Sequence, residues 1–240
     1  MLSIIIPTLN EEKILENTLG SLKELADVDY ELIVADGLST DQTIEIAKKH
    51  AHKVIVHDGK TRQKIGEGKN SGAEAASGDL LLFLDADITI PEINSFIPKA
   101  LKLFEQNSDL IGLTVFLRVH KENATWADNF FFAFINRTIQ ISNNLLKTGA
   151  AAGEFQMIRT EAFKKVNGYD IGMVIGEDND MFAKLAKIGT VRSEPSLHVL
   201  HTSRRAHKIG WPKLLYLWVI NLIYVKAFKK SYSKEWSVIR

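Results

Sequence analysis

The sequence predicts an α/β fold, a mostly parallel sheet flanked by helices, on three observations. Short β-branched apolar runs recur through the first ninety residues, segments with helical spacing separate them, and acidic residues stand where the runs end. Strands that alternate with helices imply βαβ crossovers, and such sheets bind ligands beyond the carboxyl ends of their strands.

Ser3-Ile4-Ile5-Ile6, closed by Pro7, suits a buried parallel strand. Thr8-Leu9-Asn10-Glu11 reads as a capping box for a helix whose inner face is Ile14, Leu15, Leu19, Leu22 and Leu25. Leu32 to Asp36 is a second strand, and Ser39 to Gln42 caps a helix that turns Ile44 and Ala47 inward. Val54–Val56 is a third strand and Leu80–Leu84 a fourth. Further on, the sequence predicts strands over Leu110–Val119 and near Phe155–Ile158. Helices are expected over Ala124–Leu146, near Thr160–Val166 and over Asp178–Ile188. The expected organisation is one domain over 1–202 with halves at about 1–90 and 90–202 sharing one sheet, then a C-terminal tail over 203–240.

The 240 residues include 45% hydrophobic and 25% charged side chains, a globular composition that excludes disordered and fibrous classes. No cysteine is present, which removes disulfides, thiolate metal sites and cysteine nucleophiles and fits a reducing compartment. Leu2–Pro7 is too short and lacks the basic flank of a leader, so a cytoplasmic location is expected. The Asn-x-Thr triplets at Asn123 and Asn136 are given no role.

Asp36 ends the second strand. Asp85 and Asp87 follow the fourth, and a period of two would turn both to one side. Two adjacent carboxylates repel unless a cation, donors or protonation relieves them. Mg²⁺ or Mn²⁺, shared with substrate phosphates, is the natural counter-charge; a solvated strand end without metal is the alternative. A second acidic group, Glu177-Asp178-Asn179-Asp180, opens a helix, where acids also serve simply as dipole partners.

In combination these motifs resemble the inverting glycosyltransferase family 2, with its GT-A fold. The resemblance rests on Ile4 to Glu12; on Asp36-Gly37-Leu38-Ser39-Thr40-Asp41, where Leu38 is an insertion; on Gly68 to Gly72 with Ala76 to Asp79; on Asp85-Ala86-Asp87; and on Gly153-Glu154-Phe155-Gln156, Gly168-Tyr169-Asp170 and Gly176-Glu177-Asp178. It implies a GT-A domain with a Rossmann-like nucleotide-binding half, and a nucleoside diphosphate sugar as donor. The donor would be held by Pro7, Thr8, Asn10, Glu11, Asp36, Lys69, Asp85, Ala86 and Asp87. A Mg²⁺ or Mn²⁺ ion would sit on Asp87 and Asp85, with His201 as a candidate third ligand. Asp178 would be the general base. Glu154, Glu177, Arg204 and Arg205 are candidates for acceptor or phosphate contacts. Lys69 and Arg62 are candidates to steer donor phosphates, with solvated loop charges as the alternative.

Two other readings stay open. Leu84 to Thr89 fits the Asp-x-Asp-x-Thr signature of haloacid-dehalogenase-type phosphatases, with Asp85 as nucleophile, although some 80 residues of sheet precede it. A non-catalytic nucleotide-sugar binder would have no need for Asp178. Gly66 to Gly72 fails as a dinucleotide loop because its last spacing is one residue too long.

The net charge of +1 is uneven: from Ser203 to Arg240 nine Lys/Arg face Glu235 alone. The apolar run Leu214–Val225 is too short to cross a bilayer. Trp211, Tyr216, Trp218, Tyr224 and Trp236, with Lys226, Lys229, Lys230 and Lys234, suit an amphipathic helix lying on an anionic membrane over 211–236. Packing on the domain or dimerisation is the alternative; Phe130–Phe132 is a candidate second apolar patch, with burial in the 90–202 half as its alternative. No motif identifies the acceptor; a polyprenyl-phosphate, a glycolipid or another membrane-proximal group is a candidate, and no nucleic-acid partner is expected.

Overall fold

The computed structural model describes residues 1–228 and 231–233; the sequence readings of Lys229, Lys230, Lys234 and Trp236, and of the Lys226 side chain, lie outside the described residues. Among those described, seven strands form one sheet: β1 (Leu2–Thr8), β2 (Tyr30–Asp36), β3 (Lys53–Val56), β4 (Leu80–Leu84), β5 (Leu110–Val119), β6 (Phe155–Arg159) and β7 (Thr190–His201). Their order is β3-β2-β1-β4-β6-β5-β7. β1 to β4 pair in parallel, β6 runs antiparallel to both β4 and β5, and β7 returns parallel to β5. The sheet is therefore mixed and mostly parallel.

Helices α1 (Leu15–Leu22), α2 (Thr43–His50) and α3 (Ile65–Glu74) make the first crossovers. The triple isoleucine of β1 shows why the run is continuously apolar. Ile4 and Ile6 join Leu15, Leu19 and Leu22 in one core, while Ile5 faces the other way onto Ala73, Met181 and Phe182. A central strand covered on both faces has no polar side. α3 crosses β1 closely because residue 72 is glycine; a Cβ there would lie 2.4 Å from the Ile5 side chain.

Beyond β4 come α4 (Ile93–Gln106), α5 (Trp126–Gln140) running into a π turn (Ile141–Leu145), α6 (Thr160–Lys165) and α7 (Glu177–Leu185). Asn136 is buried, and its amide bonds the Leu117 backbone on both sides, a structural task for one of the Asn-x-Thr triplets.

Three local expectations are corrected. The Thr8–Glu11 capping box does not form: α1 starts at Leu15 without a side-chain cap, Thr8 bonds Asp36, and Glu11 pairs with Arg204. On α2 the buried apolar pair is Ile46 and Ala47, with Ile44 only half-buried. β4 ends at Leu84, so Asp85-Ala86-Asp87 is a turn, with Ile88 N–H bonded to the Asp85 carbonyl, and strand alternation does not orient the two acids.

The tail forms α8 (Arg204–Ile209) and α9 (Trp211–Phe228). Trp211 stacks on Phe131 at 4.6 Å and donates to Asp128 at 3.0 Å. Leu214 and Val225 are buried, and Asn221 inside the apolar run is satisfied by Leu217 and Ser233. Ser231 bonds the Val174 and Ile175 backbone, returning the chain to the domain. α9 packs one apolar face inward and leaves Tyr216, Val219, Leu222 and Ile223 exposed on the other. Among the described residues no helix is long and apolar enough to cross a membrane.

Candidate active site

The turns after β1, β2 and β4 meet at the carboxyl edge of the sheet. Asp36, fully buried, accepts from the Thr8 hydroxyl (2.9 Å), the Ser39 amide (2.8 Å) and the Ser39 hydroxyl (2.6 Å). The inserted Leu38 takes a left-handed backbone, φ 77°, which brings Ser39 back over the carboxylate. Asn10, also left-handed, donates its amide N–H to Ser39 Oγ at 2.8 Å, and its side-chain oxygen accepts from the Thr40 amide at 2.8 Å. Asp36 thus braces the two turns. Pro7 is half-buried on β1 beside these turns.

In the third turn, Ala86 is buried, and its carbonyl accepts from Thr18 at 2.7 Å, tying the turn to α1. Asp87 Oδ2 accepts from Thr202 (2.6 Å) and from Arg204, whose Nε and Nη2 both lie at 3.1 Å; Arg204 Nη1 reaches Glu11 at 3.2 Å. Against the cost of burial, those two acids raise the Arg204 pKa further. Asp85 Oδ1 is buried without a hydrogen-bond partner. Burial first, then the charges of Asp87, Asp178 and Glu11, push the Asp85 carboxyl up to about 6, against the pull of Lys69.

His201 lies at the end of β7 with its ring edge-on to Phe132. Its Nδ1 accepts from the Ser203 amide, while Nε2 is buried without a partner. Burial holds its pKa down to about 4 although Asp87 and Asp128 pull the other way. Arg205 follows half-buried, and Arg62 is exposed.

Asp178 is the second residue of α7, which starts from Gly176 at φ 89°. Lys69 of α3, fully buried, reaches Asp178 Oδ1 at 2.6 Å, and Gln156 Nε2 reaches the same oxygen at 2.6 Å. The Tyr169 hydroxyl donates to Gln156, and the Lys69 ammonium lies 5.0 Å from the Tyr169 ring centre. Burial opposes the Lys69 charge, yet Asp178 outweighs it and raises the pKa well above the ordinary value. Lys69 therefore holds an acid from below and is not placed to meet phosphates from solvent. Asp178 Oδ2 lies on the Gly153 side, where a Cβ would come within 2.8 Å of it.

Glu177 and Glu154 tie the two acidic groups into one field. Burial, then the Asp178 charge, pushes Glu177 up to about 8. Burial, then Asp85, with smaller effects of Asp178 and Asp87, does the same for Glu154. Both shifts favour the protonated carboxyl, which limits the negative charge of the cleft. Sequence reasoning missed Gln156 and Tyr169 as supports of Asp178 and Thr202 as a donor to Asp87. Gln156 and Tyr169 stand in the motifs quoted above, but nothing local shows that they meet.

Among the described residues no three acidic or histidine side chains converge closely enough to hold a metal by themselves. The donor set still fits a hard divalent cation of the kind that takes one or two carboxylates and completes its shell with phosphate oxygens and water. Asp85 Oδ1 and His201 Nε2 are orphaned polar atoms, and a buried polar group without a partner is costly.

The fold is that of the GT-A glycosyltransferases. The chain belongs to glycosyl transferase family 2, whose model matches residues 3–166. A PGL/p-HBAD biosynthesis glycosyltransferase of Mycobacterium bovis is 36% identical over 135 residues, 54% of this chain and 52% of its own. An uncharacterized glycosyltransferase of Haemophilus influenzae is 28% identical over 194 residues, 77% of this chain and 62% of its own. The chain thus spans about half the length of the first curated relatives it matches. Among solved structures, the mannosyltransferase PcManGT from Pyrobaculum calidifontis, in complex with GDP-Man and Mn²⁺, superposes with a TM-score of 0.73 at 17% identity, over 97% of this chain and 65% of that one. Glucosyl-3-phosphoglycerate synthase from Mycobacterium tuberculosis, in complex with Mn²⁺, UDP and glucosyl-3-phosphoglycerate, gives 0.62 at 23%, over 97% and 81%. With the family assigned, the phosphatase reading of Asp85 is not favoured.

Proposed function

We propose that this glycosyltransferase moves a sugar from a nucleoside diphosphate sugar onto an acceptor hydroxyl in one displacement that inverts the anomeric carbon. The observation that carries this reading is the division of labour among the acids. One group, Asp85 and Asp87, has an unpartnered oxygen and a cationic neighbour, and a separate carboxylate, Asp178, is braced by Lys69 and Gln156.

The turns carrying Pro7, Thr8, Asn10 and Glu11 would line the nucleoside, with Asp36 holding their shape. Asp85 and Asp87, with His201 as a candidate third ligand, would hold Mg²⁺ or Mn²⁺. Bound there, the cation would supply positive charge to the departing diphosphate. Arg204, beside Asp87, would exchange part of its pairing for diphosphate oxygens, a geometry its guanidinium suits. Asp178 takes the proton of the acceptor hydroxyl as that oxygen bonds the anomeric carbon and the bond to the diphosphate oxygen breaks. Glu177 and Glu154, beside the reacting acids, would contact acceptor or phosphate oxygens. The acceptor would be lipid-linked or membrane-proximal, and the enzyme would work at the cytoplasmic face of a membrane. The basic flanks and exposed apolar face of α9 support that reading.

The test is release of nucleoside diphosphate from a panel of nucleotide sugars. Slow hydrolysis of at least one donor with a generic phosphomonoester spared is expected, and Asp178→Asn should bind donor while losing transfer about 10²-fold or more. Equal turnover by Asp178→Asn refutes the base, and cleavage of the monoester alone refutes the transferase reading.

A further inference from the structure

α5 presents an unusual outer face. Trp126, Phe130 and Phe134 recur every fourth residue, and all are exposed, Trp126 by 78% and Phe134 by 64%. Ile141, Leu145 and Leu146 continue the exposed apolar surface through the π turn, Leu145 by 74%. The opposite face of the same helix is the packed one, with Phe132, Asn136 and Ile139 buried. Trp126 stacks on Phe130, ring centres 5.5 Å apart, so its partner is itself a surface residue.

Behind this ridge α5 packs against the inward side of α9. Ring contacts run from Phe130 to Phe131, from Phe131 to Trp211 and from Trp211 to Trp218. Buried Asp128 of α5 accepts from Ser203, Trp211 and Thr125 and bonds His207 at 2.8 Å, locking α5 to the chain that forms α8 and α9. Two elements locked together, each with an exposed apolar face, mark a binding surface.

Charge selects the occupant. Exposed Lys121, Arg137 and Lys147 flank the ridge, and its one exposed acid, Glu122, lies against His120 at 3.6 Å. From Arg204 to Phe228 the chain carries five Lys/Arg and no acid. Wet tryptophan and tyrosine rings with basic flanks and few acids match an anionic lipid–water boundary.

We propose that the α5 ridge, together with the outer face of α9, is a membrane-docking surface that inserts its rings among anionic lipids. The same elements carry one wall of the cleft: Phe132 of α5 supports His201, and α8 begins with Arg204 on Asp87. Docking sets that wall beside the lipid headgroups, where an amphiphilic acceptor presents its hydroxyl or phosphate. This last step rests on the transferase reading above, whereas docking itself does not.

The full chain is mixed with vesicles of phosphatidylcholine alone and with vesicles containing phosphatidylglycerol, then sedimented. Binding to the anionic vesicles is expected, with a drop of about tenfold or more in partitioning for the triple variant Trp126→Ser/Phe130→Ser/Phe134→Ser at an unchanged melting temperature. Brominated lipids should quench the wild type more than Trp126→Phe. Three results overturn the proposal: no wild-type binding, wild-type binding by the triple variant, or a dimer in solution that the triple variant dissolves, which would make the face a contact between two copies. Nucleoside diphosphate release from a soluble donor is scored without vesicles, so failure of docking and failure of the transferase reading are seen separately.

Discussion

Lys69 Nζ lies 2.6 Å from Asp178 Oδ1, and the lysine is completely buried while the aspartate sits at the cleft. Breaking a buried ion pair strands a charge, whereas removing both partners does not. Lys69→Met should therefore cost about 3–5 kcal/mol in urea denaturation. Adding Asp178→Asn to it should restore part of the loss. Additive losses would mean that the two groups are not coupled.

Gly153→Ala tests the other side of the same carboxylate. The added methyl would come 2.8 Å from Asp178 Oδ2, so the acid must move. The rate of transfer should fall about tenfold or more, because small misplacements of a reacting group are expensive, while donor affinity stays unchanged. A variant with wild-type turnover would place the working oxygen elsewhere.

Acid stability has a separate origin, far from the cleft. Burial raises the Glu31 carboxyl, but Lys53 at 2.7 Å, Ser3 and Ser77 outweigh it and hold the pKa at about 2. A depressed folded-state pKa means that this stabilisation is complete above the ordinary value of 4.5 and is lost as pH falls toward 2. Between about pH 4.5 and pH 2 the melting temperature of the wild type should fall more steeply than that of Glu31→Gln. Parallel profiles would show that Glu31 contributes no linkage.

The parallel half of the sheet was legible because β1, β2 and β4 are buried on both faces and must be continuous apolar runs. Asp85 and Asp87 were legible as a motif, yet the strand stops one residue before them, so alternation gave a wrong reason for their proximity. Lys69 and Asp178 stand 109 residues apart, and no local pattern distinguishes a lysine that will be buried under a helix start from one that will face solvent. Asp36 was legible as a strand-end acid, but its bonds to Thr8 and Ser39 were not, because they depend on the left-handed turn at Leu38. The Thr8 capping box failed for a related reason: tertiary partners outbid a local one. The tail's apolar run was visible, but its inward face depends on Asp128 and Phe131, which lie some 80 residues earlier.

The decisive measurement is thermal shift with a panel of nucleoside diphosphates, with Mn²⁺ or with chelator, on the wild type and on Asp87→Ala. The account predicts that at least one nucleotide stabilises the wild type only when the metal is present, and that Asp87→Ala abolishes the effect. Stabilisation that persists in chelator, or that survives loss of Asp87, would contradict it.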